Sequence, residues 1–198
     1  MLKVGLTGNI GSGKTTVCKV FELLDVPVYH ADERGKFFLE KTEVIREVAA
    51  AFGQEVLTPS RQIDRKKLAS IVFESPEALK KLNAIIHPRV REDFEKWHAM
   101  QSGCNYTLQE AAILFESGHY RFFDAIIVVA APRKERIQRV CNRDGVSENE
   151  VIKRMDNQLA QEEKVQRADF VIYNHDPHMV LPRVLEIHDQ LKNLSSAK

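Results

Sequence analysis

In "LKVGL" the apolar side chains Leu2, Val4 and Leu6 fall at every second position, which predicts a buried strand. Beyond a glycine-rich segment, Val17, Val20, Phe21 and Leu24 return at helical spacing. The order is therefore strand, loop, helix. "VPVYHAD" (Val26–Asp32) reads as a second short strand, with Pro27 near its start, where a missing backbone donor is tolerated.

From Glu33 to about Met100 the pattern turns helical. Val44, Ile45, Val48 and Phe52 form one stripe. Asp64 is placed to cap a helix carrying Leu68, Ile71 and Val72, and Ser75–Pro76 is a cap followed by proline at the first helical position. Leu79, Leu82, Ile85 and Ile86 share a face until His87–Pro88 interrupts, and Val90, Phe94 and Trp97 resume it.

Continuous apolar runs follow at "AAILFE" (Ala111–Glu116) and "DAIIVVAA" (Asp124–Ala131), as expected of parallel strands covered on both faces. A charged helix is expected after Pro132 and another after the capping box Ser147–Glu150. "DFVIYN" (Asp169–Asn174) reads as a last strand, Leu181, Val184, Leu185 and Leu191 as a closing helix, and "NLSSAK" as a loose tail. Together these elements predict an α/β fold, a doubly wound parallel sheet with a helical insertion over 33–100 and a lid region over 117–150, all within one domain over 1–198.

The glycine-rich segment is "LTGNIGSGKTTV", in which Gly8, four residues, Gly13, Lys14 and Thr15 satisfy G-x-x-x-x-G-K-[ST] between a strand and a helix. Such a loop turns successive N–H groups inward on an anion, and the helix that starts beside it adds its positive end. Gly8, Gly11, Ser12, Gly13, Lys14, Thr15 and Thr16 are thus candidates to bind a nucleoside triphosphate, ATP or GTP, with Lys14 reaching the β and γ phosphates and Thr15 a ligand for Mg²⁺.

Charge and cysteine content narrow the setting. Lys and Arg number 29 against 28 Asp and Glu, so no global field draws nucleic acid or an anionic membrane, and any anion site must be local. Three widely spaced cysteines, Cys18, Cys104 and Cys141, suit neither a disulfide framework nor a C-x-x-C pair. The chain starts directly on a strand, and its longest apolar run is too short to cross a bilayer, so a soluble cytoplasmic protein is expected.

Asp32 closes the second strand, where a carboxylate can take a proton from an acceptor hydroxyl during in-line attack, or can simply cap the next helix. His30 is the rival base. Arg136, Arg139 and Arg143 fall on one helix face, either a solvated row or a lid that neutralises phosphate charge, and "RDG" at Arg143–Gly145 supplies a hinge. Glu116 either holds a cation through water or caps a turn.

The chain resembles the dephospho-CoA kinases. "GLTGNIGSGKTTV", "HADERG", "IDRKKLASIVF", "LNAIIHPRV", "ILFESG", "FDAIIVVAA", "RVCNRDGVS" and "ADFVIYN" follow the family's order and approximate spacing over nearly its whole length. The resemblance implies transfer of phosphate from ATP to the ribose 3′-hydroxyl of dephospho-CoA, a small-molecule substrate, with Asp32 as base, Gly11 to Thr16 as ATP loop and Arg139 and Arg143 in the lid. It also implies His87 and Arg89 in the lobe that takes the substrate.

Three positions depart from the family pattern. His30 stands where the first Asp of D-A-D is usual, Ala112 where a proline is usual, and Asn9 where a second glycine is usual, a place where a side chain pointing away is tolerated. Two other functions share the loop. "DERG" at Asp32–Gly35 matches the D-x-x-G of a GTPase, though no N-K-x-D is present to read guanine, and a nucleotide-binding regulatory protein would bind ATP without transferring phosphate.

Overall fold

The change of period after Leu6 is realised as β1 (Leu2–Thr7) and α1 (Lys14–Glu22). The structure is a computed structural model that describes residues 1–175 and 180–196. It continues through β2 (Val28–His30), α2 (Ala31–Phe38), α3 (Thr42–Phe52), α4 (Arg65–Glu74), α5 (Pro76–Ala99) and β3 (Tyr106–Glu110). Then come β4 (Ala125–Ala130), α6 (Arg133–Asp144), α7 (Glu148–Asp156), α8 (Gln161–Gln166), β5 (Phe170–Tyr173) and α9 (Val180–Ser196).

The five strands form one sheet in the order β2-β3-β1-β4-β5, and every pairing is parallel. Its register sets Leu6 beside Glu110 and Ile127, and His30 beside Glu110. On one face Leu2, Val4, Leu6, Leu108, Ile127, Val129 and Ile172 meet Val17 and Phe21 of α1 and Val184, Ile187 and Leu191 of α9. Each large side chain fully buried there contributes about 1.5–3 kcal/mol. That packing fixes where α1 begins, and α1 begins at the glycine-rich loop.

The chain divides into two units, Met1–His30 with Met100–Lys198, and Ala31–Ala99. Within the second, α2, α3 and α4 each pack on α5, around buried Val44, Val48, Val56, Leu68, Ile86, Val90 and Phe94. Asp64 caps α4 through its carboxylate to the N–H groups of Lys66 and Lys67, as its position implied. Arg34 of α2 grips Asp93 of α5 with two bonds of 2.8 Å, its guanidinium 4.5 Å from the centre of the Phe37 ring.

Several expectations are corrected. "AAILFE" is not a strand: β3 lies one segment earlier, its half-polar "YTLQE" buried throughout, and only Ala111 extends the ladder through its N–H to the Leu6 carbonyl. Asp32 does not end β2 but lies in the first turn of α2, and β3 separates β2 from β1. Pro88 does not break α5, which runs through it, and Arg89 donates its Nη1 to the Ile85 carbonyl in the same turn. Leu181 and Leu185 face solvent, with Ile187 taking the buried place beside Val184 and Leu191. The tail is helical to Ser196, where Ser195 donates to the Asn105 carbonyl at 2.8 Å, and residues 197–198 lie outside the described residues.

Candidate active site

The loop after β1 starts α1 without a side-chain cap: Gly13 occupies the cap in the left-handed region (φ 93°, ψ 26°), and no acidic residue sits in the first turn. A helix N-terminus left so is an anion site, because its first N–H groups have no partner within the helix. Lys14 curls back over the loop, donating from Nζ to the Gly8 carbonyl at 3.0 Å, and lies 3.9 Å from Glu110. Ser12 is buried, and Thr15 and Thr16 are exposed at the mouth.

Two neighbours hold the loop from the β5 and α6 side. Asn174, anchored by its N–H to the Ala130 carbonyl, donates from Nδ2 to the Ser12 carbonyl at 2.8 Å. A Cβ on Gly13 would overlap that amide, so only glycine serves there. A Cβ on Gly11 would likewise overlap the Arg136 carbonyl. Arg139 donates from Nη2 to the Asn174 carbonyl and pairs with Glu135, both at 2.9 Å, while its Nη1 is buried with no protein partner. Arg136 is itself buried, donates Nε to the Ala131 carbonyl at 3.0 Å, and has its basicity lowered by that burial. Arg143, on the same helix, does not join this group. It is exposed, paired with Asp144, which also takes Arg154.

Glu110 is the residue that sequence reasoning missed. It closes β3, the strand beside β1, and is 9% exposed. The carboxylate at that strand end faces Lys14 of the glycine-rich loop, and the usable signal is the acidic end of "YTLQE", which placing the strand at "AAILFE" conceals. His30 stands between two carboxylates, with Nδ1 3.6 Å from Glu110 and Nε2 3.3 Å from Glu22. Below them the Cys18 thiol is buried and pushed well above its ordinary range, by burial first and then by Glu110 and Glu22, so it is no nucleophile.

The outer arm of the loop is tied to the segment after α7. Asn9 is 3% exposed and donates from Nδ2 to the Leu159 carbonyl at 2.8 Å, so its side chain does not point away as expected. The Ile10 N–H donates to Gln158 Oε1 at 2.8 Å. Glu116 Oε1 accepts from the Leu159 N–H at 3.0 Å and meets the fully buried Lys164 at 2.7 Å, while its Oε2 is buried with no protein partner. Burial pushes the Lys164 ammonium below its ordinary range, with Glu116 pulling it back.

In the helical unit Asp32 is exposed in the first turn of α2, and His87 is half-buried on α5. Arg89 pairs with Glu47 at 2.5 Å. Among the described residues no group of three His, Cys, Asp or Glu gathers as a metal site, and no helix is long and apolar enough to cross a membrane.

A family model described as dephospho-CoA kinase matches residues 2–178. A dephospho-CoA kinase of Chlorobaculum tepidum is 44% identical over 180 residues, covering 87% of this chain and 86% of the relative. One of Bacteroides fragilis is 37% identical over 202 residues, covering 100% and 98%. The solved dephospho-CoA kinase of Campylobacter jejuni is 26% identical with a TM-score of 0.68, covering 96% of this chain and 97% of that one.

Proposed function

The chain belongs to the dephospho-CoA kinase family, and from that premise we propose how its residues share the work of the reaction. The activity is ATP-dependent phosphorylation of dephospho-CoA, a step of coenzyme A biosynthesis. In our reading the acceptor is the ribose 3′-hydroxyl and the setting is the cytoplasm. The observation that carries the reading is the uncapped start of α1 at Gly13, with Lys14 folded over the loop beside Glu110.

Backbone N–H groups from Gly11 to Thr16 cradle the β and γ phosphates, and Lys14 leaves the Gly8 carbonyl for them. Asp32 accepts the proton of the acceptor hydroxyl as its oxygen attacks the γ phosphorus. The bond to the β–γ bridging oxygen breaks, and ADP leaves with the charge. General-base catalysis contributes about 10²–10⁴ in rate. Arg139, with one Nη already directed by Asn174, offers its buried Nη1 to phosphate charge. Arg143 would first have to exchange Asp144 for phosphate, and Arg89, beside His87, would have to exchange Glu47 for an anionic group of the substrate.

Thr15 and Glu110 offer a hydroxyl and a carboxylate, hard oxygen donors that suit Mg²⁺ held mainly by phosphate oxygens. When bound, the cation would neutralise phosphate charge. No observation favours a GTPase or a binding protein without transfer.

Incubation with ATP, Mg²⁺ and dephospho-CoA is expected to yield ADP and coenzyme A, and to stop on chelation of the cation. Asp32→Asn should lower kcat about a hundredfold or more while leaving ATP affinity nearly unchanged. His30→Ala should do less, and the reverse order would transfer the base to His30.

A further inference from the structure

We propose that Asn9 and Gln158 are positioning residues for ATP, which lock the outer arm of the phosphate loop to the root of the α6–α7 hairpin. The proposal rests on reading this loop as the ATP site.

In a phosphate cradle the amides turn inward. Here the Ile10 N–H turns the other way and is held by Gln158 Oε1 at 2.8 Å, while the preceding side chain, Asn9, reaches the Leu159 carbonyl at 2.8 Å. Two adjacent loop residues thus bond two adjacent residues of the segment after α7. Apolar packing follows the same line: the Ile10 side chain sits against the small core of the hairpin, Ile137, Val140, Val151 and Met155. Gly11 then meets the backbone of Arg136 on α6.

The far end of the connection is equally fixed. Gln158 closes the last turn of α7 through its N–H to the Met155 carbonyl, and Leu159 is held by Glu116, which is held by buried Lys164. Neither Asn9 nor Gln158 has any part in the proton transfer or phosphate contacts described above. A glycine at position 9 would let the loop turn but could not bond Leu159, so the contact is specific to a side chain this chain carries.

The consequence is a linkage. α6 carries Arg136 and Arg139, and a shift of the hairpin draws the arm Asn9–Ile10 with it, so nucleotide affinity and hairpin position depend on one another. Such coupling is reciprocal: nucleotide in the loop must in turn steady α6 and α7.

The test is steady-state kinetics on the full chain with Asn9→Gly, Gln158→Leu, Gln158→Glu and the Asn9→Gly/Gln158→Leu double variant, with Lys14→Ala as the control for the site. Gln158→Leu is expected to raise KM for ATP about tenfold, since it frees the half-buried Ile10 N–H from its fixed partner, with kcat and KM for dephospho-CoA changing less than about twofold. Gln158→Glu keeps an oxygen for the Ile10 N–H and should recover most of that loss. Asn9→Gly should cost about threefold to fivefold, and the double variant less than the product of the singles. In hydrogen exchange, ADP should protect residues 133–156 in the parent and fail to do so in the double variant.

Equal changes in both KM values, a Gln158→Glu variant as impaired as Gln158→Leu, or a loss of melting temperature alone would each overturn the proposal and leave a structural brace. Activity surviving in Lys14→Ala would instead overturn the reading of the loop as the ATP site.

Discussion

Lys164 meets Glu116 at 2.7 Å with no solvent exposure of the lysine, and Arg65 in the helical unit meets Glu40 at the same 2.7 Å with half of its side chain in water. The distance is identical and the energetics are not. An exposed pair is worth about 0–1 kcal/mol, while removing one partner of a buried pair leaves an uncompensated charge and costs about 3–5 kcal/mol. The unit that carries the glycine-rich loop braces it with buried Asn9, Arg136 and Lys164 and half-buried Asn174 and Glu116. The helical unit keeps Arg34, Arg65 and Arg89 at or near the surface in pairs that a ligand can replace. On the roles proposed above, the braced groups belong to the unit assigned to ATP and the exchangeable charges to the unit assigned to the acceptor.

The comparison breaks most sharply at Gly13. Gly13→Ala sets a Cβ on a left-handed residue and against Asn174, so kcat/KM for ATP is expected to fall about a hundredfold or more, from a misplacement of the loop of order 1 Å. Retained ATP turnover would show the brace to be loose.

Next in size is Glu116→Leu, expected to cost about 3–5 kcal/mol in urea denaturation near neutral pH, with Glu116→Leu/Lys164→Met recovering most of it. The pH dependence has a definite sign. Burial already depresses Lys164, so the folded state releases that proton more readily than the unfolded state. The stability of Glu116→Leu should therefore rise with pH toward the ordinary lysine range and fall as pH drops through the depressed value.

In the helical unit the effects shrink. Arg34→Gln loses a two-bond grip on Asp93 and a contact with Phe37, and about 1 kcal/mol is expected in the same denaturation assay. Arg65→Gln should change stability by less than about 0.5 kcal/mol, and a cost as large as that of Glu116→Leu would erase the distinction between the units.

Much of the fold was legible because it is written in periodicity. The step from Leu2, Val4 and Leu6 to Val17 and Phe21 located β1, the loop and α1, and the capping residues Asp64 and Ser147 started their helices as their types require. β3 was not legible for a physical reason. Its polar residues Thr107, Gln109 and Glu110 are buried, and only the neighbours that a finished sheet brings make such burial affordable.

Lys164 is the sharper case, since "QEEKVQ" reads as a solvated helix and nothing local says that one lysine points at a glutamate from a distant segment. Arg136 and Arg143 repeat the lesson on a single helix: one face by spacing, yet one residue buried and the other exposed. The Asn9 contact depends on Leu159, remote in sequence, and so could not be foreseen from the loop alone.

The helical unit also governs how the sheet is completed in time. β2 and β3 are parallel neighbours, and the whole of Ala31–Ala99 is the connection between them. Closing so long a connection carries an entropy penalty that grows as the logarithm of its length, about 0.6 kcal/mol per doubling. β2 is an edge strand of only Val28–His30. It has few hydrogen bonds to offset that cost until α2–α5 have folded and drawn its two ends together. β2 is therefore expected to enter the sheet after β1, β3 and β4, and hydrogen exchange should find its amides exchanging ahead of those of β1 and β4. On that order, the segment that leads directly into Asp32 is assembled after the helices have formed.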